Sequence, residues 1–284
     1  MRETIRIWFG NFTIAFWCEQ QEIIDFLNLH FNSHLSEAQP ALTIDMTVVP
    51  ADKASVLYSI ERYTHTVENN CFNHGPNLIK GFWDTQARRC VVKVCDFLLT
   101  QDEVWLFDRF LCRLFYTLAL DRELTKEQTI IVHSAGIIRN NRGYVFFGAP
   151  GSGKSTITSL SRKFTVLHDD MNLLSLHDSS VSVEGVPFNP KLIERTDSRG
   201  TLSMICSLHK SPVVKMERGS RDEFMQTILP EIFLPMPILS EDRKQAFEYM
   251  LHCVRKLSVM VPYYRLYFKK DENFWDVVDT AEGR

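Results

Sequence analysis

Hydrophobic and polar residues alternate in short segments through residues 1–125, a pattern typical of β-strands. Thr4 to Phe9 and Phe12 to Trp17 flank the turn pair Gly10-Asn11, and together they predict a β-hairpin. Further strands are predicted at residues 43–49, 56–58 and 90–94. The pattern therefore predicts a β-rich region before residue 125.

Two segments of the same region have the helical period instead. Residues 19–31 bring apolar side chains to one face, and residues 102–120 carry a wider apolar stripe. These positions are Ile23, Ile24, Phe26 and Leu27 in the first segment and Leu106, Phe110, Leu111, Leu114, Phe115 and Leu118 in the second. The histidines of the region, His30, His34, His65 and His74, are scattered, so we expect no metal site among them.

The pattern changes after residue 125, where consecutive strands are joined by tight turns. Strands are predicted at 129–133, 136–138, 144–147, 164–168, 203–207, 213–216 and 264–268, and helices at 154–163, 221–229, 241–257 and 272–278. Strands that follow one another without helices argue against a doubly wound parallel sheet and favour a mixed sheet. We therefore predict an α/β chain of two domains: a smaller β-rich α+β domain, residues 1–125, and a second domain with a mixed sheet, residues 126–284.

Composition excludes several classes of partner. The chain has 284 residues, 45% of them hydrophobic, and a net charge of -3, so no broad basic surface suggests nucleic acid. No apolar stretch approaches the ~20 residues that span a bilayer, so no membrane partner is expected. The seven cysteines lack the paired spacing of a zinc site, and no signal peptide is visible. We expect reduced thiols and a cytoplasmic location.

One nine-residue segment carries the strongest chemical signal. It follows the apolar strand at 144–147, precedes a helix and fits the Walker A pattern; its residues are Gly148, Ala149, Pro150, Gly151, Ser152, Gly153, Lys154, Ser155 and Thr156. The three glycines allow the backbone to turn its amides toward a triphosphate, and the helix that follows directs its positive end there. Lys154 would contact the β and γ phosphates, and the Ser155 hydroxyl would ligate magnesium. The segment predicts ATP and Mg²⁺ as cofactors.

Two carboxylates follow the strand that returns from this helix. A ten-residue helix moves about 15 Å from the loop, and a five-residue strand returns by roughly 16 Å. Asp169 and Asp170 are therefore expected level with Lys154, where a magnesium ligand or a catalytic base is needed. Neighbouring residues of a strand face opposite sides, so we expect one acid to meet the site while the other orients it.

Weaker candidates surround these motifs. His133 ends a predicted strand next to the one that enters the loop, and a place beside the phosphates and a purely structural role both fit it. Glu184 is a candidate for a second magnesium contact or a charged turn residue. Arg199, Lys191 and Arg195 are candidates for binding phosphate or substrate. His168, between the strand core and the acids, is interpreted as structural.

The order of three motifs resembles a known family. His133-Ser134-Ala135-Gly136-Ile137, then Gly148 to Ser155, then Asp169-Asp170 are similar to the C-terminal catalytic domain of the HPr kinase/phosphorylase family over residues 126–190. That family shares its nucleotide-binding core with phosphoenolpyruvate carboxykinases. The resemblance implies that Lys154 and Ser155 bind ATP and magnesium, that Asp169 is the base towards an acceptor hydroxyl, and that His133 lies near the transferred phosphate.

The same resemblance sets the expected function. The segment that contacts HPr in that family is not recognisable here, and the architecture looks more like HPr-kinase-like proteins encoded beside modified-peptide pathways, some of which phosphorylate a serine of a precursor peptide. We expect an ATP- and Mg²⁺-dependent kinase acting on a hydroxyl, and the favoured acceptor is a serine of a peptide or protein. A small-molecule kinase of the shikimate-kinase kind and a non-catalytic nucleotide-binding switch remain alternatives. The oligomeric state is left open, a homo-oligomer included.

Overall fold

The computed structural model describes ten ranges of the chain. These are residues 3–50, 65–68, 71–74, 78–84, 87–99, 104–119, 128–187, 198–233, 243–271 and 273–283. The strand predicted at 56–58 and the candidates Lys191 and Arg195 lie outside them. None of the helices in these ranges is long and apolar enough to cross a membrane.

Sixteen strands and six α-helices are found in the described ranges. The strands are β1 Glu3–Phe9, β2 Phe12–Cys18, β3 Leu42–Val49, β4 His65–Glu68, β5 Cys71–His74, β6 Ile79–Asp84, β7 Arg89–Cys95, β8 Gln128–Arg139, β9 Arg142–Phe147, β10 Thr165–His168, β11 Met171–Leu176, β12 Val181–Gly185, β13 Arg199–Lys210, β14 Lys215–Arg218, β15 Ile232–Phe233 and β16 Tyr263–Phe268. The helices are α1 Gln21–His30, α2 Val104–Ala119, α3 Lys154–Leu160, α4 Arg221–Ile228, α5 Arg243–Met260 and α6 Phe274–Ala281. Short 3₁₀ helices occur at Asn32–His34, Asp96–Leu99 and Leu229–Glu231.

The chain divides into two compact units. The first comprises residues 1–125 with 235–245, and the second comprises 126–234 with 246–284. Each unit contains one mixed sheet, in which parallel and antiparallel strand pairs occur together. The mixed α/β class predicted from the sequence is therefore confirmed.

The sheet of the first unit has the strand order β1-β2-β3-β7-β6-β5-β4. The predicted hairpin is confirmed: β1 and β2 pair antiparallel around Gly10, whose φ of 63° suits a tight turn. Aromatic side chains fill the core, where the Phe115 ring of α2 stacks on those of Phe16 and Phe31. The predicted helices are confirmed as α1 and α2, whereas β4, β5 and β6 were not predicted.

The second unit is organised around β8. The sequence predicted two strands, 129–133 and 136–138, but β8 is one continuous strand of 12 residues in which His133 lies near the middle. Strand pairing runs from β8 through β11, β12, β13 and β9 back to β8. The polar pair His133-Ser134 obscured this continuity, because it interrupts the apolar run on which the prediction rested.

The neighbours of β8 change on both sides at residues 133–134. On one side β10 pairs with residues 136–138 and β11 pairs with residues 128–133. The two residues that connect β10 to β11, 169 and 170, therefore lie beside residues 133–134. On the other side β9 pairs with 134–139, and the short β15 pairs with 131–132. Four strand ends therefore meet at one position of β8, and the side chains at those ends are brought close to His133.

Candidate functional site

His133 lies between two carboxylates contributed by different strand ends. Its Nε2 is 2.8 Å from Asp170 Oδ1, and its Nδ1 is 3.0 Å from Glu231 Oε2. Carboxylate oxygens only accept, so both contacts are hydrogen bonds when each ring nitrogen carries a proton. The His133 side chain is 33% exposed, whereas that of Glu231 is 9% exposed. The imidazole is thus fixed in orientation while one part of it faces solvent.

Glu231 was not identified from the sequence. It ends a 3₁₀ helix 98 positions after His133 and directly precedes β15, whose pairing with β8 brings it into place. A two-residue strand leaves no periodic pattern, and no short spacing connects the two residues. Only the tertiary pairing of β15 could have indicated this contact.

The acid pair occupies the turn between β10 and β11. The sequence placed the two acids at the end of a strand, whereas the structure places them in a turn. In this turn the N–H groups of Asp170 and Met171 both donate to His168 Nδ1, at 2.9 and 3.0 Å. Because Nδ1 accepts these bonds it carries no proton, and its 3.8 Å contact with Asp169 Oδ1 is not a hydrogen bond. His168 thus holds the backbone of the turn in place.

The two acids differ in accessibility. The Asp170 side chain is 29% exposed and contacts His133, whereas the Asp169 side chain is 1% exposed. The sequence predicted that the side chain of one acid would face the site and that the other acid would orient the first. Asp170 is the one that reaches the accessible side, so Asp169 can meet a bound acceptor only if the turn moves.

Asn172 ties this turn to β8. Its Nδ2 donates to the carbonyl oxygen of Ser134 at 2.8 Å and lies 3.0 Å from Ser134 Oγ, while the Ser134 N–H donates to the carbonyl of Asp170. A Cβ at Gly136 would lie 2.1 Å from Asn172 Oδ1, so only glycine fits opposite this amide. The glycine of the His133-to-Ile137 motif is therefore required by packing.

The glycine-rich segment leaves the end of β9 and enters α3. Gly148, Gly151 and Gly153 have φ values of 150°, 81° and 115°, which side-chain-bearing residues rarely adopt. The Lys154 side chain folds back over the segment, where its ammonium donates to the carbonyl of Gly148 at 2.5 Å. Lys154 is 8% exposed and Ser155 is exposed in the first turn of α3. Ser155 is thus open to a ligand, and Lys154 can reach one by leaving the Gly148 carbonyl.

The structure pairs two of the weaker candidates with each other. Glu184 and Arg199 are directly opposite residues of β12 and β13. Arg199 Nε lies 2.6 Å from Glu184 Oε2, and its Nη2 contacts the same oxygen. The Glu184 side chain is 4% exposed, and this ion pair with Arg199 compensates the buried charge of its carboxylate. Their predicted roles with magnesium and phosphate remain predictions.

Comparisons with known proteins add little to this geometry. No protein-family model matches the sequence, and no curated protein matches it. The structure of the Hpr(Ser) kinase/phosphatase from Coxiella burnetii aligns with 54% of this chain and 95% of its own, at 11% sequence identity and a TM-score of 0.29. A TM-score this low does not establish a shared fold.

The contact between Glu231 and His133 predicts a coupled effect on stability. Replacing Glu231 by alanine removes a buried carboxylate from a charge-assisted hydrogen bond, and we expect the free energy of unfolding to fall by about 1–3 kcal/mol. The same change in a His133→Ala background should cost clearly less, because the partner is already gone. Urea unfolding of the four proteins measures the coupling. Equal costs in both backgrounds would show that the contact contributes nothing.

Proposed function

We propose that the chain is an ATP- and Mg²⁺-dependent kinase that transfers the γ-phosphate to a hydroxyl, with a serine of a peptide or protein as the acceptor. One observation carries the proposal: the glycine-rich segment begins at the end of β9, beside the position of β8 at which His133 contacts Asp170. Ser134 is the cross-strand partner of Phe147, the last residue before the segment, and such partners are about 5 Å apart. The carbonyl of Asp170 accepts from the N–H of Ser134.

The glycine-rich segment would hold the triphosphate. Its backbone already has the positive φ values that turn successive amides to one side, as an anion-binding segment requires. The ammonium of Lys154 would exchange the Gly148 carbonyl for the β- and γ-phosphate oxygens. That exchange replaces a neutral acceptor by a charged one, so nucleotide binding gains a stronger contact.

The residues around this segment fit Mg²⁺. Magnesium takes oxygen ligands and is usually held by one or two carboxylates together with phosphate oxygens and water, so a cage of protein ligands is not needed. Across the described ranges no cluster of three or more His, Cys, Asp or Glu side chains forms such a cage. Ser155 offers an exposed hydroxyl and Asp170 an accessible carboxylate. When bound, the ion would neutralise charge on the phosphates.

The acceptor chemistry needs a base, and we assign that role to Asp169, whose buried side chain would reach the acceptor through a movement of the turn between β10 and β11. The acceptor oxygen would bond to the γ-phosphorus as its proton passes to the carboxylate and the bond to the β,γ-bridging oxygen breaks, releasing ADP. The His133 imidazole, fixed by Asp170 and Glu231, would lie beside the transferred phosphate. Alignment and electrostatic stabilisation would supply most of the catalysis, as is general for phosphoryl transfer.

An acceptor screen tests the proposal. The chain is incubated with γ-labelled ATP and Mg²⁺ and offered serine-containing peptides, the same peptides with alanine for serine, and a panel of small hydroxyl compounds. We expect label on the serine peptides alone. Label on a small compound would mean a small-molecule kinase, and ATP binding without transfer to any acceptor would mean a nucleotide-dependent switch.

A further inference from the structure

A cavity of about 460 Å³ lies beside the glycine-rich segment, and the functions assigned above leave it unused. Gly153 and Thr156 form its border with the segment. The remaining walls come from two later parts of the chain, residues 210–212 and 268–270. Its volume is within the range of small-molecule sites, roughly 300–1,000 Å³.

Strand direction explains why these parts meet. β9, β13 and β16 are mutually parallel neighbours, with Ser207 paired to Phe147 and Lys210 paired to Phe268. Their carboxyl ends therefore lie along one edge of the sheet, where ligands of α/β proteins commonly bind. The glycine-rich segment continues from β9, and the far walls of the cavity continue from β13 and β16. A ligand held by the segment can thus extend directly into the cavity.

The floor of the cavity is tightly packed. Phe268 is 3% exposed, and a Cβ at Gly153 would lie 2.5 Å from its ring, so the aromatic side chain packs directly beneath the segment. The N–H of Ser211 donates to the carbonyl of Phe268 at 3.0 Å, which joins the two far walls. Gly153 is therefore needed both for its φ of 115° and for contact with Phe268.

The walls combine apolar surface with positive charge. Pro212 and the aliphatic stems of Lys210, Lys269 and Lys270 present carbon to the cavity, while lysine ammonium groups generally remain in solvent. All three lysines are exposed, and the only acid recorded against them in the described ranges is Asp271, 3.7 Å from Lys269. A ligand that is flat and partly apolar at one end and anionic at the other matches this surface.

We propose that this cavity binds the nucleoside end of a nucleoside triphosphate, with the base and ribose against Pro212 and the lysine stems and the α-phosphate near the ammonium groups. The inference rests on the proposed function, because it takes the glycine-rich segment as the site of the triphosphate. Inorganic triphosphate shares the phosphate chemistry but would leave the cavity empty. The difference in affinity between ATP and inorganic triphosphate therefore measures the contribution of the cavity apart from that of the glycine-rich segment.

Calorimetric titration with ATP and with inorganic triphosphate, each with Mg²⁺, tests the proposal. We expect the wild-type chain to bind ATP at least about tenfold more tightly than inorganic triphosphate. Pro212→Trp fills the cavity and should remove this preference while leaving the affinity for inorganic triphosphate unchanged. Val213→Trp is the matched control, since Val213 is 61% exposed and does not line the cavity, and it should retain the preference.

A charge reversal provides an independent variant. Lys210→Glu should weaken ATP binding about tenfold, whereas Arg162→Glu, an exposed position just beyond the other end of α3, should not. Equal wild-type affinities for the two ligands, or a preference for ATP that survives in Pro212→Trp, would overturn the cavity assignment and leave the proposed function standing. If the wild-type chain bound neither ATP nor inorganic triphosphate, both the cavity assignment and the proposed function would be overturned.

Discussion

Replacing Asp169 by asparagine is expected to lower the rate of phosphoryl transfer by about 10²- to 10⁴-fold, the contribution of a general base. The affinity for Mg²⁺ and ATP should change little, because asparagine has the same shape and the proposed base would contact the acceptor, not the nucleotide. Single-turnover transfer from labelled ATP to a serine peptide gives the rate, and calorimetry gives the affinity.

Asp170→Asn is the matched variant, and it should change the Mg²⁺ dependence of transfer. In its proposed role as a magnesium ligand, Asp170 should affect the Mg²⁺ concentration needed for half-maximal transfer, and saturating Mg²⁺ should restore part of the rate in the variant. The Asp170 side chain is 29% exposed and that of Asp169 is 1% exposed, so transfer that depends on Asp169 also requires the turn to move. Loss of transfer in Asp170→Asn at saturating Mg²⁺, together with full activity in Asp169→Asn, would contradict the assignment of the base.

Replacing Lys154 by methionine is expected to weaken ATP binding by about 10- to 150-fold, since hydrogen bonds to charged groups are worth about 1.5–3 kcal/mol. Transfer should fall further, because the ammonium would also stabilise charge on the γ-phosphate in the transition state. Methionine keeps an unbranched apolar stem in a position that is only 8% exposed. Equilibrium titration with ATP measures the change in affinity.

A structural effect of the same substitution must be separated from the loss of binding, because Lys154 also donates to the Gly148 carbonyl. Thermal unfolding without nucleotide reports that effect, and the midpoint of Lys154→Met should stay near that of the wild type. Lys163→Met, at an exposed position beyond α3, removes a charge without touching the segment and should bind ATP normally. Wild-type affinity in Lys154→Met would exclude the segment as the triphosphate site.

Local sequence signals predicted the elements that are complete within a few residues. Gly10-Asn11 between two alternating segments indicated the hairpin, and the apolar stripe of residues 102–120 indicated α2. The glycines of 148–153 indicated a backbone that only glycine readily adopts, and their φ values agree. In each case the pattern and the structure it specifies lie in the same stretch of chain.

Features that depend on distant pairing were not predictable in this way. β11 and β12 were not predicted, and they are defined by pairing with each other and with β8 and β13. The Glu231–His133 contact depends on a two-residue strand, and the pairing of Glu184 with Arg199 depends on the register of β12 against β13. No spacing along the chain specifies such a register.

The structure of the protein with a non-hydrolysable ATP analogue and Mg²⁺ tests the central claim most directly. We predict that Lys154 Nζ and Ser155 reach the phosphates and their ion, with the γ-phosphate directed at His133 and the Asp169-Asp170 turn. The Lys154 contact should be within hydrogen-bonding distance, roughly 2.7–3.2 Å. A triphosphate bound away from the glycine-rich segment, or one whose γ-phosphate points away from His133, would contradict the proposal that these residues form one site.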